Sequence, residues 1–284
     1  MDIQMVKRLL PLLLLLALKA PAQKLIVRGD DMGFSHSGNL ALIDCYKNGI
    51  QKSIEVIVPS PWFPEAVKLL KETSGVDIGI HLALTSEWDN IKYRPLTNCR
   101  SLRDSNGYFF PMVNANPNYP GQSIRENKWT IQDVEIEFRA QIELALKLLP
   151  SVSHLSSHMG CTYLTPEVVL LTKKLAEEYR IPLDPEPAGL NYIGYDGPHK
   201  TPEEKISSFK KMLDKLEPGK TYLFLDHPGY NDAELKAIFH IGYEDVAADR
   251  QGVTDLFTNK EIIELIKKKG ILLISYGDLV SDSR

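Results

Sequence analysis

Short β-branched or apolar runs alternate along the chain with stretches whose apolar positions return at helical spacing. The runs at 24–28 (KLIVR), 54–58 (IEVIV), 76–84 (VDIGIHLAL), 152–157 (VSHLSS), 181–183 (IPL), 221–226 (TYLFLD) and 271–275 (ILLIS) read as strands. Ser60-Pro61 and Thr165-Pro166 place a cap before a proline at the start of a helix. Thr130 with Asp133 and Thr258 with Glu261 read as capping boxes, while Gly49 and Gly270 stop the helices they follow. Strands alternating with helices imply a parallel sheet covered by helices. About seven such units favour a TIM-like β/α barrel, complete or short of closure, over an open doubly wound sheet. No G-x-G-x-x-G follows the first strand, which removes the main dinucleotide signature. Residues 86–128 break the rhythm, with many Asn, Pro and Tyr and no core face, and so are expected to form a lid or binding loop.

The N-terminus lies outside this pattern. Lys7 and Arg8 precede LLPLLLLLAL, and Ala20-Pro21-Ala22 fits a small-x-small cleavage site. Residues 1–22 therefore read as a signal segment and 23–284 as one domain, exported to a periplasmic or extracellular space with no membrane contact after cleavage. With 43% hydrophobic and 25% charged residues the balance is that of a globular protein. A net charge of −4 without any Lys/Arg block argues against a nucleic-acid partner. Cys45, Cys99 and Cys161 are too few and too irregular for a disulfide framework or thiolate metal site, and read as buried or half-buried small residues.

The unusual polar residues collect at strand ends. Asp30 and Asp31 follow the first strand, His81 lies late in the third, and His158 and His227 end the fourth and sixth. In a parallel barrel the C-terminal strand ends share one face, where active sites sit. His154 is on the same strand face as His158 but nearer the N-terminal end, and reads as structural. His36, His199 and His240 lie in loop or helical contexts and receive no role, and HLSSH lacks the Glu of a zincin helix. Two His and one Asp make a metal site with open positions, suited to zinc and also to iron, nickel or cobalt. Adjacent residues of an extended chain point opposite ways, so one carboxylate of the pair is expected to bind the ion and the other to act as a base.

The motifs DDMGFSHSGNLALIDCYKNGI, GIHLALT, RPLTNCRSLRDSNGYFFP, SHLSSH and HPGY, in this order and followed by Arg250 and GILLISYGDL, resemble those of the YdjC-like carbohydrate deacetylases, the chitooligosaccharide deacetylase group. The resemblance runs from about residue 24 to residue 279. It implies a distorted TIM-like barrel and metal-dependent removal of N-acetyl groups from an amino sugar or oligosaccharide, with zinc or magnesium as the divalent ion. By the same resemblance Asp31, His81 and His158 fall on the metal-ligand positions, Asp30 on the catalytic base, His227 on a His-Pro-Gly motif near the site, and Arg250 on a substrate contact. Two departures stand out. The family usually reads Asp-Ser-His-x-His around the third ligand, where this chain has Ser156, Ser157, His158, Met159 and Gly160. After the fifth strand, where the family often has an Arg, this chain has Asp184.

The reading is thus an exported amidohydrolase in which His227 protonates the leaving amine or binds the oxyanion. Trp88, Tyr93, Tyr108 and Tyr119 either stack on sugar rings or simply pack the long loop. A non-catalytic glycan-binding protein on the same barrel is the alternative, motivated by Ser156 and Gly160. An iron oxygenase is weaker, because such sites usually lie close together on a β-only scaffold. The sequence leaves open which sugar, which metal and whether a homodimer forms.

Overall fold

The computed structural model describes residues 22–184 and 190–281, so the signal segment, apart from Ala22, lies outside the described residues. Strand β1 (Lys24–Met32) is buried along its whole length except at Lys24, as a parallel strand covered on both faces must be. One edge of β1 pairs with β6 (Thr221–Asp226) from Lys24 to Gly29. Its other edge is divided between β7 (Leu272–Ile274), opposite Lys24 to Ile26, and β2 (Ser53–Val56), from Arg28 onward. Beyond β2 come β3 (Asp77–Leu82) and β4 (His154–Ser157), and beyond β6 comes β5 (Leu190–Tyr192). All the pairs are parallel, and the seven strands form a sheet curled into an incomplete barrel in a single α/β domain.

The expected strand at 181–183 is reduced to one bridge, Leu183 to Leu155, and β5 lies further on in a half-exposed segment. Side chains join the barrel where strands do not: Asp184 accepts from Arg28 Nη1 at 2.7 Å, from the Tyr192 hydroxyl at 2.6 Å, and from the Tyr276 hydroxyl.

Helices α1 (His36–Asn48), α2 (Phe63–Lys71), α3 (Ile131–Leu148) and α4 (Pro166–Tyr179) cover the first half of the sheet. Helices α5 (Pro202–Leu213), α6 (Val246–Phe257) and α7 (Lys260–Lys269) cover the second, and α8 (Tyr276–Ser281) ends the described chain. Thr165 and Thr130 cap as expected, each accepting from the backbone N–H three residues on, a bond worth about 1 kcal/mol. Asp133, however, turns its carboxylate to Ser101 instead of closing the box. The other two starts shift: α2 begins at Phe63 after Trp62, not at Ser60-Pro61, and α7 is capped by Asn259, not Thr258. Gly49 and Gly270 do follow α1 and α7, Gly270 in the left-handed conformation. Cys45, Cys99 and Cys161 are buried free thiols.

The stretch 86–128 has little regular structure beyond two short 3₁₀ turns, yet it is well packed. Trp88, Tyr93, Leu102, Phe109, Phe110, Val113 and Ile124 are buried in the main core. They enter that core at irregular intervals, so no periodicity announces them. No described helix is long and apolar enough to cross a membrane.

Candidate active site

The six residues assigned from the sequence line one cavity of about 460 Å³ at the C-terminal strand ends: Asp30, Asp31, His81, His158, His227 and Arg250. Both aspartates are buried. The expectation that they point opposite ways is not met, because β1 is not extended at its end. Its register with β2 shifts between Gly29 and Met32, and Asp31 takes φ 71°, a strained conformation for a non-glycine residue. The twist brings both carboxylates to His81, whose Nε2 lies 3.8 Å from Asp30 Oδ2 and 3.7 Å from Asp31 Oδ1.

Two buried like charges need compensation, and each has its own arginine. Arg28, two residues before Asp30 and so on the same strand face, grips it through Nε–Oδ1 at 2.7 Å and Nη2–Oδ2 at 2.9 Å. Arg250 on α6 donates from Nη2 to Asp31 Oδ2 at 2.9 Å while its guanidinium lies over Phe34 and Trp88. His158 Nδ1 approaches Asp31 Oδ1 at 3.3 Å, and His227 Nε2 approaches Oδ2 at 3.8 Å.

These contacts set the protonation states. Burial works to raise the Asp31 pKa, but the neighbouring His227, His158 and Arg250 hold it well below the ordinary carboxylate range. Burial drives His81 down to about 4, against the pull of Asp30, so its ring is neutral near pH 7. Burial also opposes charge on His158, but Asp31 outweighs it and raises the pKa. For His227 burial is again outweighed, by Asp31 and by Asp226, and the pKa rises to about 9.

Several buried polar atoms of this cluster lack a hydrogen-bond partner: Asp31 Oδ1, His158 Nε2, and Arg250 Nε and Nη1. Such atoms are costly unless something binds them. Asp31, His81 and His158 each offer one donor atom, all within 4.8 Å of one another. Atoms bound to one ion at about 2.1 Å stand roughly 3.4 Å apart, close to the 3.3 and 3.7 Å that separate Asp31 Oδ1 from the two imidazoles. The donor set of one carboxylate and two imidazoles therefore fits a divalent ion.

His154 stays away from this cavity. Its Nε2 meets Glu55 Oε1 at 2.6 Å, and its ring stacks on Tyr276 at 3.8 Å. Of the loop aromatics only Trp88 lines the cavity. Tyr93 is buried, the Tyr119 hydroxyl bonds Asp89, and Tyr108 lies against Arg94, so packing accounts for these three. Beyond His158 the chain turns through Met159 and Gly160, both at positive φ, a conformation that suits glycine at 160.

Sequence reasoning missed Arg28, Glu55, Glu87 and Asp226. Glu87 lies 3.7 Å from His158 Nε2, and Asp226 Oδ1 accepts the backbone N–H of His227. Arg28 and Glu55 had a signal: Arg28 ends the KLIVR run two residues before Asp30, and Glu55 is a lone charge inside IEVIV.

Fold and cavity together define a parallel α/β barrel protein with a buried Asp-His-His cluster and a second carboxylate at its C-terminal strand ends. The chain belongs to the YdjC-like protein family, whose model matches residues 24–268. It is 31% identical over 271 residues to a carbohydrate deacetylase of Clostridium beijerinckii, covering 90% of this chain and 100% of that one. It is 28% identical to carbohydrate deacetylase 2 of Listeria innocua serovar 6a, covering 90% and 98%. In fold it resembles the crystal structure of an Enterococcus faecalis V583 protein named for cellobiose-phosphate cleavage, with TM-score 0.72, 22% identity and coverage of 91% and 99%.

Proposed function

We propose that this protein is a metal-dependent deacetylase that hydrolyses the N-acetyl group of an amino sugar or oligosaccharide outside the cytoplasm. The observation that carries this reading is the single cavity in which Asp31, His81 and His158 converge beside a second buried carboxylate, Asp30, and a charged His227. The names of the full-length relatives support the substrate class, and the basic-apolar-small N-terminus supports export.

Asp31, His81 and His158 would hold the ion, which when bound supplies Lewis acidity toward the amide carbonyl and acidifies water. Asp30 takes the proton of the attacking water, its carboxylate aimed by the two Arg28 bonds. His227 starts protonated and gives its proton to the amine as the carbon–nitrogen bond breaks, so that acetate and a free amino sugar leave. Arg250 directs Nη2 to Asp31 and keeps Nε and Nη1 for an oxygen of the substrate.

The test is acetate release from a panel of N-acetylated mono- and oligosaccharides by chelator-stripped protein, before and after adding zinc or magnesium. Release that depends on the added ion is expected. Glycan binding with no acetate released under any condition would favour the non-catalytic alternative.

A further inference from the structure

Glu55 lies on β2 and is fully buried, an arrangement a barrel interior rarely tolerates without a purpose for the charge. Its register partner on β3 is Gly79, two residues before His81, and Gly79 in turn pairs with His154 on β4. The Glu55 side chain crosses β3 exactly over this glycine: a Cβ at position 79 would stand 2.2 Å from Glu55 Oε2. Beyond the crossing the carboxylate meets two β4 side chains. Oε1 takes His154 Nε2 at 2.6 Å, and Oε2 takes the hydroxyl of Ser156. Ser156 is the register partner of His81, and its Oγ is 2.7 Å from His81 Nδ1.

The proton count in this chain of bonds allows one arrangement. Glu55, facing Arg28 and His154, is ionised and only accepts. Ser156 has one hydroxyl proton and donates it to Glu55, so toward His81 it only accepts. His81 must then carry its hydrogen on Nδ1, which leaves the Nε2 lone pair facing Asp31 Oδ1. A ligating imidazole is commonly held in this way by a carboxylate bonded to its other nitrogen.

We propose that Glu55, acting through Ser156, is the positioning carboxylate of His81, fixing the tautomer and ring orientation with which this histidine binds the metal. The role rests on His81 being a ligand. Asp30 and Asp31 are gripped directly by Arg28 and Arg250, whereas the chain of bonds from Glu55 through Ser156 ends on His81.

The experiment measures zinc affinity by chelator competition for the wild type, Ser156→Ala, Glu55→Gln, Ser156→Asp and the Glu55→Gln/Ser156→Asp double variant, with the fold checked by circular dichroism. In parallel, ¹⁵N NMR of the metal-free proteins reads the His81 tautomer. Ser156→Ala and Glu55→Gln should each weaken zinc binding about 10–100-fold. Their His81 ring should become a tautomer mixture, where the wild type is purely Nδ1–H. In the double variant an aspartate meets Nδ1 directly, and affinity should recover although Glu55 is gone. Since Glu55→Gln disturbs a buried charge network and risks misfolding, Ser156→Ala, a single-atom deletion, decides alone if needed. Wild-type zinc affinity and an unchanged tautomer in folded Ser156→Ala would overturn the relay while leaving the metal site intact. A wild type that binds no zinc at all would instead overturn the ligand reading, and the proposal with it.

Discussion

Two buried polar clusters lie in the same barrel a few ångströms apart, and they differ in how completely they are satisfied. The lower one joins Arg28, Glu55, His154, Ser156, Asp184 and Tyr276, and none of these side chains has a buried polar atom without a partner. The upper one, around Asp31, leaves an oxygen of Asp31, a nitrogen of His158 and two nitrogens of Arg250 without hydrogen bonds. A satisfied network specifies structure; an unsatisfied one at a strained backbone position is built for something that arrives later. The two clusters touch at two points, where Arg28 holds Asp30 and Ser156 holds His81.

The largest effect that would sharpen this contrast is loss of the ion. Asp31→Ala, His81→Ala or His158→Ala should each lose bound divalent metal, measured by elemental analysis after dialysis, whereas His154→Ala should keep it and only melt earlier. Metal loss from His154→Ala with none from His158→Ala would reverse the division between the clusters.

Next comes Arg28, which neutralises Asp30 and Asp184 from the satisfied side. Arg28→Met should destabilise the fold by about 3–5 kcal/mol, because breaking a buried pair strands the remaining charge. Denaturant unfolding measures this, and a change under about 1 kcal/mol, the scale of an exposed ion pair, would show that the lower cluster does not depend on the charge pair.

The smallest effect is a pH slope. In metal-free protein the His227 pKa is raised from 6.5 to about 9, burial notwithstanding, by Asp31 and Asp226. Stability from this charge is complete below pH 6.5 and is lost as the pH rises through about 9. Tm of the metal-free wild type should therefore fall across that window, and the fall should flatten in His227→Gln. An equally steep fall in the variant would remove Asp31 and His227 as a coupled pair.

Much of this was legible beforehand for a physical reason. β1, β2, β3 and β6 are buried, so they show as apolar runs, and the residues after them inherit the common face of a parallel barrel. The lower cluster was harder to read, since a lone Glu55 in IEVIV gives no hint of a partner on β4, a hundred residues away. Asp31 shows the limit most clearly. Alternation along an extended strand separates it from Asp30, and only a left-handed residue at a register shift reunites them. The strand at 181–183 failed because its pairing is a single bridge, and β5 was missed because its LNY run is polar and half-exposed.

The central claim is that the neighbouring aspartates divide the work, Asp31 as ligand and Asp30 as base. Acetate release by an Asp30→Asn preparation of known metal content tests it most directly. The amide matches the carboxylate in shape but cannot take a proton. The account predicts wild-type metal content with turnover lowered about 10²–10⁴-fold. Full turnover with the metal retained would contradict it.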